Sequence, residues 1–117
     1  MKYLLLICWD TERMNGQTEP EPGTAPADEG GFPWADDLDA RGVRLAGDRL
    51  APPRRARSVR VRDGKKLVTD GPFAATKEAI GGFDLLECSS LEEAVEIAAS
   101  HPNAELGTIE VRPLWGS

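Results

Sequence analysis

An apolar run, Leu4-Leu5-Leu6-Ile7-Cys8, sits inside a segment from Lys2 to Trp9 and does not alternate with polar residues. A strand that is apolar at both parities is covered on both faces, so Lys2 to Trp9 predicts a central strand. From Val43 to Leu50 the pattern has a period of two. Val43, Leu45 and Gly47 share one face, Arg44, Ala46 and Asp48 the other, and Pro52-Pro53 ends the strand. Ser58 to Thr69 predicts a hairpin turning at Asp63-Gly64, a dipeptide suited to the positive φ angles of a two-residue turn. Asp70-Gly71-Pro72-Phe73 predicts a second turn. Gly81-Gly82 opens a strand from Phe83 to Ser89, with Phe83 and Leu85 opposite Asp84, Leu86 and Cys88. The last strand is Gly107 to Pro113, with Ile109 and Val111 opposite Thr108, Glu110 and Arg112.

Two segments carry helical signals. Pro33 suits a first helical position, Trp34 and Leu38 lie four apart, and Gly42 is a natural stop; the helix could also begin near Ala27. Ser90 and Glu93 form a capping box ahead of an apolar stripe at Leu91, Ala94, Val95 and Ala98, and His101-Pro102 ends that helix. Residues 10–31 are rich in Pro, Gly and acids and predict a mobile surface loop.

The predicted order is β-α-β, hairpin, β-α-β in a single domain over residues 1–117. This is an α+β chain of the split-βαβ, ferredoxin-like kind with an extra hairpin, one antiparallel sheet backed by two helices. Two helices cover only one face, yet the first strand is apolar on both. The simplest lid is a second copy packed about a two-fold axis, so a homodimer is expected. By parity, Arg44, Asp48, Asp84, Glu110 and Arg112 fall on the uncovered face. Polar groups there either line a dimer-interface cleft or pair with one another at its rim.

Composition narrows the partners. No run approaches the ~20 apolar residues that cross a bilayer, and the first strand lacks a cleavage-site pattern, so no membrane and a cytoplasmic location are expected. Cys8 and Cys88 lie among apolar neighbours and read as reduced, inert core cysteines. With one histidine and no Cys-x-x-Cys pair, no metal site is expected. The net charge is −6, and the basic run Arg54, Arg55, Arg57, Arg60, Arg62, Lys65 and Lys66 has no interleaved aromatic residue. It reads as a solvated hairpin face rather than a nucleic-acid site.

The stretch Val68-Thr69-Asp70-Gly71-Pro72-Phe73-Ala74-Ala75-Thr76-Lys77-Glu78, followed by Gly81-Gly82-Phe83, resembles the DGPF signature of the YCII-related family. The opening Met1 to Ile7 and the closing Gly107 to Pro113 resemble the same family, so the likeness spans the first strand and roughly residue 34 to the end. The resemblance implies a dimeric α+β barrel of ferredoxin-like subunits, with an active-site cleft that contains an Asp and a His. It also implies kinship with lyases and isomerases of small aromatic or lactone-like compounds, and in some members an association with sigma factors. Ala75 stands where the family usually has Glu, and the acidic, Pro-rich segment 10–31 is a second departure.

Candidate chemistry therefore centres on His101 and Asp70. His101 could act as acid or base, or could merely cap the last carbonyls of its helix, where the dipole favours the protonated ring. Asp70 could take or orient a proton, or could accept backbone N–H bonds in its turn. Phe73 reads as core or pocket wall; Lys77 and Arg112 could hold an anionic substrate group, and Asp48 and Arg44 could line the same cleft, with salt-bridged or solvated roles as the alternative. Two functions compete. One is a cofactor-independent lyase or isomerase acting on a small molecule through the Asp/His pair in a dimer-interface cleft. The other is a non-catalytic ligand-binding or regulatory module. The first predicts Asp70 and His101 within reach of each other, directly or through one water, in the monomer or across the dimer.

Overall fold

A computed structural model describes residues 1–18 and 32–117. Six strands and three α-helices lie in that range: β1 Lys2–Asp10, α1 Thr11–Asn15, α2 Pro33–Ala40, β2 Arg44–Arg49, β3 Arg57–Arg62, β4 Lys65–Asp70, β5 Glu78–Glu87, α3 Leu91–Ala99 and β6 Thr108–Pro113. The chain is α+β. Its four-stranded antiparallel sheet has the order β2-β5-β1-β6, and β3-β4 is a separate two-stranded sheet; the sheet does not close into a barrel within one chain. The apolar run of β1 thus occupies a central position, as its pattern requires.

α2 and α3 cover one face of the sheet. Tyr3, Leu5 and Ile7 point there and are buried with Leu86, Cys88, Leu38, Ala94, Ile97 and Ala98, with Ile109 and Val111 packed alongside. The register puts Leu4 opposite Leu85, Leu6 opposite Phe83 and Cys8 opposite Ile80 on the other face. Glu110, Arg112 and Thr108 of β6 flank these residues, and Asp48 pairs with Phe83. The open face therefore has an apolar centre and a polar border.

Several expectations need correction. α3 buries Ala94, Ile97 and Ala98, whereas Leu91 and Val95 of the predicted stripe are exposed. β5 begins at Glu78, so Gly81 and Gly82 lie inside it. A bulge between Ile7 and Cys8 leaves Gly81 unpaired, and a Cβ there would lie 2.7 Å from Met14 Sδ. The loop expected from residue 10 gives way at once to order. β1 runs on to Asp10, whose carboxylate accepts the Arg13 N–H at 2.9 Å and starts α1, and α1 buries Met14. Helix α2 starts at Pro33; the alternative start near Ala27, and residues 19–31 of the predicted loop, lie outside the described residues.

The largest correction concerns Arg44 and Asp84, expected on the open face. Asp84 does share a face with Leu86, but that is the helix-covered face, and Asp84 is buried. Arg44 joins it because β2 bulges between Arg44 and Ala46. The extra residue puts Arg44 opposite Leu86 and Gly47 opposite Asp84. One bulge reverses the parity of everything before it, which a strict two-residue pattern cannot foresee.

Candidate functional site

His101 lies where α3 ends. Ser100 is the C-cap of α3, and His101 is in turn the N-cap of a 3-10 turn, Pro102–Glu105. Its Nδ1 accepts the Asn103 N–H at 3.0 Å. The ring is edge-on to Trp34 at 4.6 Å and to Phe32 at 5.2 Å between centroids. Trp34 is held in turn, its Nε1–H donating to the Ile97 carbonyl at 3.1 Å and to Ser100 Oγ at 2.9 Å. The imidazole is thus a buried brace between the start of α2 and the end of α3. Burial pushes its pKa below the ordinary value, opposite to the effect expected from the helix dipole alone. A ring that accepts a backbone N–H through Nδ1 is neutral, with its proton on Nε2.

Asp70 lies elsewhere. It ends β4 opposite Arg57, and its Oδ1 pairs with Arg57 Nε at 3.1 Å while the side chain stays 88% exposed. Instead of capping a turn through backbone N–H groups, it closes the base of the hairpin. Among the described residues, no hydrogen bond, ion pair or ring contact joins Asp70 to His101.

The remaining candidates are dispersed. Phe73 is 80% exposed, so it is neither core nor pocket wall in the single chain. Lys77 is exposed and contributes a carbonyl, which accepts the Thr11 N–H at 2.8 Å. Asp48 is exposed and accepts the Arg49 N–H at 2.8 Å. Arg112 pairs with Glu110 of its own strand at the border of the open face. Asp48 and Arg112 share that face, and the other candidates do not converge on it.

Among the described residues, a concavity abuts Gly71 and Pro72 of the motif turn. It has a volume of about 220 Å³ and is lined by Thr11, Asn15, Pro53, Arg54, Gly71, Pro72, Ala75 and Thr76. α1 builds it: Thr11 Oγ1–H donates to the Thr76 carbonyl at 2.8 Å, and Asn15 Oδ1 accepts the Arg54 N–H at 2.8 Å. Arg54 Nε–H also donates to the Asn15 carbonyl, at 3.0 Å. Gly71, at φ +85°, sends its N–H to the Ala56 carbonyl at 2.7 Å, a backbone angle that suits glycine. This cleft falls below the ~300 Å³ at which drug-sized ligand sites begin, so it has room for a small group only. Among the described residues, no cluster of three or more His, Cys, Asp or Glu side chains could hold a metal ion.

Sequence reasoning missed one polar centre. Arg44 Nε–H donates to Asp84 Oδ1 at 2.7 Å, and Arg44 NH1 reaches Asp39 of α2 at 3.1 Å. Burial pushes the Asp84 carboxyl above its usual range, outweighing the pull of Arg44. For Arg44 burial works against the charge, but hydrogen bonds to Asp84 and Asp39 overcome it and raise the pKa. Gly47 was the available signal: a Cβ there would lie 2.2 Å from Asp84 Oδ1. The group ties α2 to the sheet.

The fold and the site thus define a small α+β domain with a shallow cleft lined by the motif turn, helix α1 and Pro53-Arg54. The family model of the YCII-related domain matches residues 1–116, and the chain belongs to that family. An uncharacterized protein of Rhizobium meliloti (strain 1021) is 47% identical over 68 residues, covering 56% of this chain and 55% of that relative. The aligned part thus spans little more than half the relative's length. No helix among the described residues is long and apolar enough to cross a membrane.

Proposed function

We propose that this chain works as a homodimeric, non-catalytic ligand-binding or regulatory module, not as a lyase or isomerase driven by Asp70 and His101. The observation that carries this reading is the state of His101. Its ring is walled by Phe32 and Trp34 and its Nδ1 is committed to the Asn103 N–H, while Asp70 is paired with Arg57 on an exposed hairpin. A proton-transfer pair needs its members within hydrogen-bond reach of one substrate position. The strand order supports the ferredoxin-like reading, and the half-buried Leu4, Leu6, Phe83 and Leu85 on the uncovered face support self-association there. The ligand would be small and would sit in the cleft beside the motif turn.

A thermal-shift screen on wild type, His101→Ala and Ala75→Phe tests the reading. A ligand should raise the melting temperature of wild type and of His101→Ala by the same increment and leave Ala75→Phe, whose cleft is filled, unmoved. Turnover of any hit that disappears in both Asp70→Asn and folded His101→Ala would restore the enzyme reading. For self-association the measurement is sedimentation of wild type against Leu6→Glu. The charge should shift a dimer to monomer, and a wild type that stays monomeric at high concentration removes the dimer.

A further inference from the structure

Hairpin β3–β4 stands apart from the four-stranded sheet and shares no strand pairing with it. Directly paired residues of an antiparallel ladder lie on one face, so Val59, Val68 and Val61 line one side with the Arg57–Asp70 pair at the base and Lys66 at the tip. Arg60, Leu67, Arg62 and Lys65 line the other. Val59 and Val61 are 60% and 61% exposed, and Val68 is 50% exposed. A two-stranded hairpin alone is marginal in water and needs a third strand or a packed face. Asp63 (φ +51°) and Gly64 (φ +74°) shape a well-formed turn, so the fold maintains an ordered arm whose apolar side is half or more exposed among the described residues.

Charge says what covers it. Residues 57–70 carry five basic and two acidic side chains, whereas the whole chain has a net charge of −6, so the remainder carries −9, of which −4 belongs to residues 19–31 and −5 to the other described residues. The arm is cationic and the body of a second copy is anionic. Two-fold symmetry would let each arm meet the other body, satisfying both charge and apolar area with one contact.

We propose that hairpin β3–β4 is an arm that clasps a second copy of this chain, laying its Val59–Val61–Val68 side on the partner and its cations against the partner's acidic surface. The inference rests on the self-association proposed above but places binding strength in the arm as well as in the sheet face. The test is the dimer dissociation constant, measured by sedimentation for wild type, for Val59→Thr/Val61→Thr, which keeps β-branched strand residues, and for Leu6→Glu. The double variant should weaken the dimer at least tenfold with an unchanged circular-dichroism spectrum. A photo-crosslinking residue at position 61 should yield covalent dimers. A dissociation constant within twofold of wild type, or crosslinks confined to one chain, overturns the arm. Dissociation by the double variant but not by Leu6→Glu keeps the arm and removes the sheet contact; the converse removes the arm alone. Binding of a labelled oligonucleotide that Arg60→Glu abolishes, with an unaltered dimer constant, would assign the hairpin to nucleic acid and overturn the proposal.

Discussion

Arg44 and Asp84 meet at 2.7 Å on the helix-covered face of the sheet, in the space that Gly47 leaves by having no side chain. β2 and β5 are neighbours, and the β2 bulge delivers Arg44 to the same side as Asp84. The guanidinium then spans to Asp39, so one group joins two strands and α2.

Gly47→Ala inserts a methyl 2.2 Å from Asp84 Oδ1 and 2.6 Å from Arg44 NH2. The pair must shift, which should cost about 1–3 kcal/mol. Removing one partner by Asp84→Ala should cost more, because Arg44 loses its buried carboxylate and keeps only the half-exposed Asp39. Urea unfolding gives both values, and an Asp84→Ala cost below that of Gly47→Ala would contradict the structural role.

Gly107→Ala should be severe for a different reason. Its Cβ would lie 2.3 Å from the Cys8 carbonyl oxygen and 3.3 Å from Trp9 Cα, which are backbone atoms of the central strand. At Gly81 the obstacle is the sulfur of Met14, the flexible end of a side chain. Equilibrium denaturation should therefore rank Gly107→Ala well below Gly81→Ala in stability.

His101 should make the protein sensitive to mild acid. Burial lowers its folded pKa beneath the unfolded value of about 6.5. The unfolded chain thus takes up the proton first, and stability declines as pH falls from about 6.5 through the lower folded value. Above that window the contribution is complete. The urea midpoint of wild type should fall between pH 7.5 and 5.5 more steeply than that of His101→Phe. At pH 7.5 the variant should be about 1–3 kcal/mol less stable, because the Asn103 N–H loses its acceptor. Equal slopes for the two proteins would remove the assignment.

Ser90→Ala should lower stability by about 0.5–2 kcal/mol. Ser90 Oγ accepts the Glu93 N–H at 3.1 Å, the N-cap of α3. Glu93 returns to Ser89, accepting its N–H at 3.1 Å and its hydroxyl, and these bonds hold its carboxyl below the usual range. Amide exchange of residues 91–94 should accelerate in Ser90→Ala while β1 stays protected.

Asp70→Asn should leave the unfolding midpoint unchanged, because its ion pair with Arg57 is open to solvent on both sides. This separates Asp70 from Asp84, two carboxylates that the sequence pattern does not rank.

Local chemistry made much of the fold legible. Asp63-Gly64 specifies a hairpin by its dihedral angles, Ser90 and Glu93 start α3, and the Leu4 to Cys8 run marks a central strand, each through interactions a few residues long. The turn at Gly71 was equally readable, its φ of +85° being one that suits glycine. What the sequence could not decide was which face each polar residue occupies, because one unpaired residue near Leu45 moves Arg44 to the covered side. Nor could it decide what His101 touches, since Phe32 and Trp34 reach it only when α2 packs against the end of α3. Strand parity and capping are short-range and survive as pattern. Bulges and contacts between distant helices are set by how the whole chain closes on itself, and only the tertiary structure contains them.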